Sequence, residues 1–466
     1  MDAVVRDVDR TDALTALPNR VVVLERIENA LKRARANNDH RFAVLFVNGD
    51  RLNQVNVTRG PAAGDELLRS MAARVNAAVR QRDMVALSAH GERTAGRLGV
   101  DEFVIVLDAV FSIDVAALVV QRLVDALRKP YSIDGVLVHS PASVGVTLGA
   151  GAAVDADEVL QDASLAMREA KRAGGACYRV FEPLMKITAC RRASLESELR
   201  RALQDGQLFF VYQPITDLGD GRVAGFEALV RWLHPQRGVV SPMEFIEIAE
   251  ATDLIHPLGA YVLGTACHQF AQWQRQFEAR APQLLSVNLS RAQLQEGTRV
   301  GEVERALRLH GVPASCLQLE ITESLAAESA LIQQRLHELK ALGVKLALDD
   351  FGTGYSSLAS LHQWPVDVIK IDRSFVSQVT TSAHHRILIE ATVMVARSLK
   401  MKTVAEGVET EEQAELLTAQ KCDEAQGYLY ARPMGGADAT RWLAARTGLQ
   451  CLPGDGAAAA GTSAAG

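Results

Sequence analysis

FFVYQPI (209–215), TDLGDGR (216–222) and VAGFEALVRW (223–232) form the stretch that decides the fold of the C-terminal half. Two apolar runs rich in aromatic and β-branched residues flank a polar segment containing Gly219-Asp220-Gly221, which reads as strand, turn, strand. A crossover between parallel strands needs roughly a dozen residues or more, so Thr216 to Arg222 leaves room only for an antiparallel hairpin. Outward from this pair, six further strand-like segments follow at 284–290, 317–322, 344–351, 366–372, 402–408 and 424–430, most of them separated by helical patterns. Eight strands close a β/α barrel. The expectation is therefore a modified barrel whose first strand runs against its neighbours. One helix should open at Ser241-Pro242-Met243-Glu244, a capping box with proline at the first helical position.

Nearly every one of these strands ends in a polar residue: Gln213, Glu227, Asn288, Glu320, Asp349 with Asp350, Lys370, Glu406 and Gln426. Any one alone is an ordinary solvated strand end or helix cap. In a β/α barrel, however, strand C-termini converge on one face, where active sites are assembled. Glu227, Leu229 and Arg231 alternate along one strand, so a carboxylate and a guanidinium share the inner side of the wall. Five carboxylates in one pocket repel unless cations or protons intervene. Two divalent cations together with Lys370 would balance them. An all-oxygen donor set, with Asn288 adding an amide oxygen and neither Cys nor His in the pattern, favours Mg2+ or Mn2+ over zinc. Two such ions point to phosphate-ester chemistry.

The whole chain, 466 residues, is long enough for two sizeable domains, and its 48% hydrophobic content can bury a core. A net charge of -6 gives no general attraction to nucleic acid or anionic membrane. The six cysteines are scattered without a CxxC pair, so neither a zinc site nor a disulfide framework is indicated. Asp2, Arg6, Asp7, Asp9 and Arg10 interrupt any apolar run near the start, and no stretch reaches the length of a transmembrane segment. A cytoplasmic protein, assembling as a homodimer, is expected. Residues 453–466, all Pro, Gly, Ala, Ser and Thr apart from one Asp, should be disordered.

The N-terminal half alternates helical and strand patterns. Val21, Leu24, Ile27 and Leu31 mark a helix over 20–35, and 42–47 reads as a buried strand. A helix over 65–79 follows. Short strands near 97–98 and 103–107 flank a turn at Gly99-Val100-Asp101, and helices near 114–128 and 157–172 complete an α/β domain. The pattern breaks between Phe181 and Ser194. This divides the chain into a first domain at 10–182, a linker at 183–194 and a second domain at 195–446.

Taken together, Glu227-Ala228-Leu229-Val230-Arg231-Trp232-Leu233-His234-Pro235, Asn288, Glu320-Ile321-Thr322-Glu323, Asp349-Asp350-Phe351-Gly352-Thr353-Gly354-Tyr355-Ser356-Ser357-Leu358, Lys370-Ile371-Asp372, Ala405-Glu406-Gly407-Val408-Glu409 and Gln426-Gly427-Tyr428 resemble an EAL-domain cyclic di-GMP phosphodiesterase. The resemblance implies a modified TIM barrel with an antiparallel first strand that hydrolyses cyclic di-GMP to linear pGpG. It further implies that Glu227, Asn288, Glu320 and Asp349 hold one metal, and that Asp350 and Glu406 serve a second. Lys370 and Glu406 would position and deprotonate the attacking water, with Glu227 also counted in the catalytic set. Gln213, Arg231 and Gln426 would contact the dinucleotide, and Glu323 and Glu409 would anchor the loop after Asp350. That loop, Gly352 to Ser357, is alternatively a phosphate cradle.

Asp12-Ala13-Leu14-Thr15-Ala16-Leu17-Pro18-Asn19-Arg20, Asn56, Gly64-Asp65 and Arg97-Leu98-Gly99-Val100-Asp101-Glu102-Phe103 resemble a GGDEF domain, a cyclase-palm-like α/β fold that makes cyclic di-GMP from GTP. Against that family's pattern, Asn48 replaces a metal-binding Asp, Val100 replaces the second Gly of the signature turn, and Asn53 and Pro61 stand where Lys and His are usual. A β-branched residue disfavours positive φ and keeps phosphate from the backbone, so a degenerate, non-synthesising domain is expected. Asn56, Asp65 and Lys171 could still bind GTP as a regulator, although Asp65 reads equally well as a helix N-terminal residue. Arg80 and Asp83 resemble the family's product-inhibition element, but an apparent extra loop, Leu87 to Gly96, separates them from the signature turn. Two rival functions stay open: a non-catalytic cyclic di-GMP sensor, and a bifunctional cyclase/phosphodiesterase.

Overall fold

The computed structural model describes residues 10–37, 39–80, 93–108, 110, 112–149, 155–295, 299–326, 330–352 and 358–447. The chain divides between Ala193 and Ser194 into two units. Helix Pro183–Asp205 crosses that division, so residues 183–194, read from sequence as a linker, are helical.

The first unit is built on strands β1 (Phe42–Gly49), β2 (Arg93–Arg97), β3 (Glu102–Leu107), β4 (Tyr131–Ile133), β5 (Val136–Val138), β6 (Ala142–Gly149) and β7 (Tyr178–Val180). Its main sheet runs β2-β3-β1-β6-β7, antiparallel except for the last pair. The continuous apolar run of β1 is explained by burial on both faces. Ala43, Leu45 and Val47 pack with residues of helices Pro61–Arg80 and Ile113–Arg128, whereas Phe42, Val44 and Phe46 pack with Arg20–Ala36 and Ala156–Arg172. Three expectations are corrected. Strand β6, next to the central β1, escapes the sequence reading because Gly145 and Gly149 dilute its apolar signal; at Gly145 a Cβ would lie 2.0 Å from the Ala163 carbonyl oxygen of the covering helix. Residues 93–96, assigned to an extra loop, belong to β2. Asp65 is no helix N-terminal residue, since the helix starts at Pro61. Arg80 ends that helix, and Asp83 lies outside the described residues.

The second unit comprises β8 (Leu208–Asp217), β9 (Val223–His234), β10 (Gly238–Val240), β11 (Leu284–Asn288), β12 (Leu317–Thr322), β13 (Lys345–Phe351), β14 (Val368–Ile371), β15 (Lys402–Glu406), β16 (Glu424–Gln426) and the short β17 (Met434–Gly435). Strands β9, β11 to β16 and β8 form a closed ring of eight, sealed by the β8/β9 pairing. β8 is antiparallel to both neighbours, β9 and β16, as the short hairpin required. The turn is held by Asp217, whose Oδ1 accepts from the amides of Gly219 (2.8 Å) and Asp220 (3.2 Å).

Strand parity then sorts the side chains. Phe226, Ala228, Val230 and Trp232 of β9 face outward into the core shared with the helices, where Phe226 meets Trp273 at 4.6 Å between ring centroids. Ile215, Leu284, Ala347, Val368 and Val404 fill the barrel interior. Helix Pro242–Ala251 does carry proline at its start, but Ser241 makes no side-chain capping bond, so the expected capping box is absent. Residues 353–357 of the post-Asp350 loop and the 453–466 tail lie outside the described residues.

Candidate active site

One mouth of the barrel receives an inward polar side chain from each of its eight strands: Gln213, Glu227, Asn288, Glu320, Asp349, Lys370, Glu406 and Gln426. Six stand at or near the C-terminal ends of strands that share one direction, and Glu227 stands mid-strand in the longer β9, which runs the same way. Gln213 is different, because β8 runs the other way and continues to Asp217. It reaches the same level from mid-strand, directly opposite Glu227 in the register.

Lys370 organises the cluster. Its Nζ lies 2.7 Å from Glu320 Oε2, 2.7 Å from Glu406 Oε1, 3.0 Å from Asp349 Oδ1 and 3.8 Å from Glu227 Oε2, and the residue is 1% exposed. Asn288 Nδ2 donates to Glu227 Oε1 (2.9 Å), and Gln426 Nε2 donates both to Glu227 Oε2 (2.7 Å) and to Gln213 Oε1 (3.0 Å). Burial lowers the ammonium's pKa, but the surrounding carboxylates outweigh it and hold Lys370 well above its ordinary value. Burial likewise pushes Glu227 up, yet Lys370 and the bonds from Gln426 and Asn288 hold it below the usual range. Glu320 goes the other way, raised by burial and by the Glu227 charge. Burial, opposed by Lys370 and aided by Asp349, brings Glu406 to about 7.

Asp349 and Asp350 are adjacent, and in a regular strand they would point to opposite faces. Instead the β13/β14 register shifts between Leu348 and Phe351, and Asp350 adopts a left-handed backbone with φ 53°. Asp tolerates that region better than most residues. As a result, carboxylate oxygens of Asp349, Asp350 and Glu406 come within 4.8 Å of one another, a grouping able to hold a metal ion. Asp349 Oδ1 is buried and, despite its closeness to Lys370, has no hydrogen bond of acceptable geometry. Five carboxylates around one ammonium leave a strong negative excess, so the donor set fits hard divalent cations.

At the rim, Arg231 donates from Nη1 to the Val230 carbonyl (2.9 Å), and its pKa is lowered chiefly by burial. The Arg432 guanidinium stacks 4.4 Å from the Tyr428 ring, a pair sequence reading did not single out. Glu323 is buried, and its Oε2 accepts from the Gly352 amide at 3.2 Å, where the post-Asp350 loop begins. Glu409 pairs with Arg373 at 2.9 Å, and residues 353–357 of the loop it is expected to anchor lie outside the described residues. Two further residues that sequence reading missed are Ser286 and Gln318, both fully buried beneath the mouth. Their signal was a polar residue two positions before Asn288 and Glu320 inside otherwise apolar strands.

In the first unit, Asn56 packs against Gly64, where a Cβ would lie 1.9 Å from its Oδ1, and Asp65 follows on the exposed side. Lys171 is 3.9 Å from Asp50. Asn48 is buried and donates from Nδ2 to Asp101 Oδ1 (3.1 Å), while its own Oδ1 has no partner.

A barrel with one antiparallel strand and a lysine-centred ring of carboxylates defines the class as a β/α-barrel protein with an acidic, metal-competent mouth. The family model described as EAL domain matches residues 196–433, and that described as diguanylate cyclase, GGDEF domain, matches residues 9–177. The chain belongs to the EAL family, in the tandem form that carries a GGDEF domain ahead of the barrel. It is 40% identical over 426 residues to the bifunctional diguanylate cyclase/cyclic di-GMP phosphodiesterase MucR of Pseudomonas aeruginosa, covering 91% of this chain and 60% of that protein. It is 36% identical over 439 residues to the cyclic di-GMP phosphodiesterase NbdA of the same organism, covering 93% and 54% respectively. A solved structure of PaMucR phosphodiesterase in complex with c-di-GMP matches with a TM-score of 0.50 and 41% identity, covering 53% of this chain and 99% of that one. The chain spans only 60%, 51% and 52% of the length of the first three curated relatives it matches. Among the described residues, no helix is long and apolar enough to cross a membrane.

Proposed function

We propose that the C-terminal unit hydrolyses cyclic di-GMP to linear pGpG. The observation that carries this reading is the convergence of Asp349, Asp350 and Glu406 to within 4.8 Å beside the buried Lys370. The relatives named above support the choice of substrate. Glu227, Asn288, Glu320 and Asp349 would hold one Mg2+ or Mn2+, and Asp350 and Glu406 a second. Bound there, such cations would acidify water and stabilise charge on the phosphoryl oxygens. Lys370 ties Glu320, Asp349 and Glu406 together and fixes where the attacking water can sit. Glu406, held at 2.7 Å by Lys370, takes that water's proton. The water oxygen bonds to phosphorus, the P–O3′ bond breaks, and the departing oxygen takes up a proton, leaving one 5′-phosphate and one 3′-hydroxyl. Arg231, Gln213 and Gln426 bind the dinucleotide, Arg231 by its charge. Glu323 holds the start of the loop that follows the paired aspartates.

Incubating purified protein with Mg2+ and cyclic di-GMP, then separating the products by chromatography, tests this reading. Linear dinucleotide is expected, and none after chelation. Substrate left intact at all protein concentrations, with binding retained, would make the protein a sensor instead.

For the N-terminal unit we infer loss of synthesis. An Asp at position 48 would repel Asp101 until a cation joined them; the Asn48 amide satisfies Asp101 with a hydrogen bond and no cation. Val100, 69% exposed in the signature turn, places a branched side chain where phosphate would approach. Asn56 beside Gly64-Asp65 keeps the elements of a guanine-reading edge, which supports GTP as a regulatory ligand.

A further inference from the structure

Beneath the ring of ligands the barrel is plugged by apolar side chains, with Ile215, Ala347, Val368 and Val404 at that level. Two polar residues interrupt the plug. Ser286 of β11 and Gln318 of β12 are both 0% exposed and face each other across the strand pair, directly below Asn288 and Glu320 in the same register. Burying a hydroxyl and an amide in an apolar plug costs free energy unless they are hydrogen-bonded, and valine would fill the space without that cost.

Their bonds run in one direction. Gln318 Nε2 donates to Ser286 Oγ at 3.0 Å, and Ser286 Oγ donates to Glu320 Oε1 at 2.6 Å. An amide NH2 can only donate, so Ser286 must accept from it and has a single proton left to give, which goes to Glu320. Turning the amide round would set its oxygen and the carboxylate in competition for that one proton; in the orientation described Ser286 bonds to both neighbours, while the Gln318 amide oxygen is left buried without a partner. Glu320 Oε1 is thereby pinned from below, while Oε2 faces Lys370 at the mouth.

We infer that Ser286, its hydroxyl aimed by Gln318, is a positioning residue that fixes the Glu320 carboxylate to receive a divalent cation. The inference rests on the two-metal reading above. Without the Ser286 bond, Glu320 is held only through Oε2 by Lys370, its Oε1 is free to turn, and the carboxylate must be reoriented each time a cation binds. Partners that orient a ligating side chain typically change metal affinity by about 10- to 100-fold when removed.

The test is direct titration of the metal-free full-length chain with Mn2+ alone, read by calorimetry and by the electron paramagnetic resonance of free Mn2+. Ser286→Ala is expected to weaken the affinity of one Mn2+ by about tenfold, and Gln318→Met to weaken it less but in the same direction. Activity lost at low Mn2+ should return at high Mn2+. Thr216→Val serves as the control, because it removes a buried hydroxyl without a hydrogen-bond partner on β8, a strand that pairs with neither β11 nor β12, and it should leave the affinity unchanged. A purely structural role would lower the thermal midpoint of the metal-free variants while leaving their Mn2+ affinity at the wild-type value, and that result overturns the inference. If the wild type itself takes up no Mn2+, the two-metal reading falls and the inference with it; if wild type and Ser286→Ala bind equally, only the inference falls.

Discussion

An ammonium buried as deeply as that of Lys370 is retained only where its charge is compensated, and four carboxylates within 3.8 Å compensate it. The same crowding leaves a negative excess that, on the reading proposed above, bound cations would balance. Replacing Glu227 or Glu406 by Ala should therefore lower turnover by at least about 100-fold, roughly 2.7 kcal/mol of transition-state stabilisation, with little change in folding. A variant that kept more than a tenth of wild-type activity would remove that residue from the catalytic set. Ca2+ should inhibit in competition with Mg2+, because it is larger and accepts looser coordination than an in-line displacement requires. Equal rates with the two ions would count against the paired-cation site.

Among elements, the barrel wall is tight where β9 meets β11. A Cβ at Gly225 would lie 2.3 Å from the Leu284 carbonyl oxygen and 2.5 Å from the Leu284 Cβ. Gly225→Ala must part these strands, and a loss of about 1–3 kcal/mol is expected, read as a lower thermal midpoint. An unchanged midpoint would show that the wall yields freely. In the first unit, the turn at Asp12 is tied to the signature hairpin: Asp12 Oδ1 accepts from the Thr15 amide (2.8 Å), the Thr15 hydroxyl (2.6 Å) and Arg97 Nη1 (2.8 Å), and Arg97 Nη2 reaches the Val100 carbonyl (2.7 Å). Burial alone would raise the Asp12 carboxyl, but the bonds from Thr15 and Arg97 outweigh it and hold it below its ordinary value. Its ionised form thus stabilises the fold above the usual carboxylate range, and that contribution is lost as pH falls through the depressed folded value. Asp12→Asn should cost about 1 kcal/mol near pH 7, with the gap from wild type closing in strong acid. A gap that stayed constant with pH would mean the charge plays no part.

For the whole molecule, the expected balance is degradation without synthesis. Incubation with GTP and Mg2+ should yield no cyclic di-GMP, and Asn48→Asp alone should not restore it while Val100 obstructs the turn. Added to the phosphodiesterase assay, GTP should change the rate in the wild type and have no effect in Asp65→Ala. Regulation of this kind requires GTP to bind the more active state more tightly than the less active one. A flat response in both proteins would reduce the first unit to a folded scaffold, and cyclic di-GMP formed from GTP would overturn its assignment as non-synthesising.

The barrel and its mouth were legible in the chain because each feature is local. Strand periodicity, a connection too short for a crossover, and a polar residue recurring in each apolar strand survive as patterns whatever the tertiary context. The extent of β6 and β2 was not legible, because glycines and charged residues blurred runs whose strand identity comes from pairing with β1 and β3. The capping box at Ser241 failed for the opposite reason, since a correct local motif was left unused in the folded chain. Gln213 was identified as a mouth residue, but its mid-strand position follows from the direction of β8. Two facts belonged to tertiary structure alone. A left-handed turn at Asp350 and a register shift bring neighbouring aspartates to one side, against strand alternation. Ser286 and Gln318, unremarkable in sequence, form a directed hydrogen-bond chain only because the register of β11 and β12 sets them side by side beneath Glu320, and which proton points where depends on all three groups being present at once.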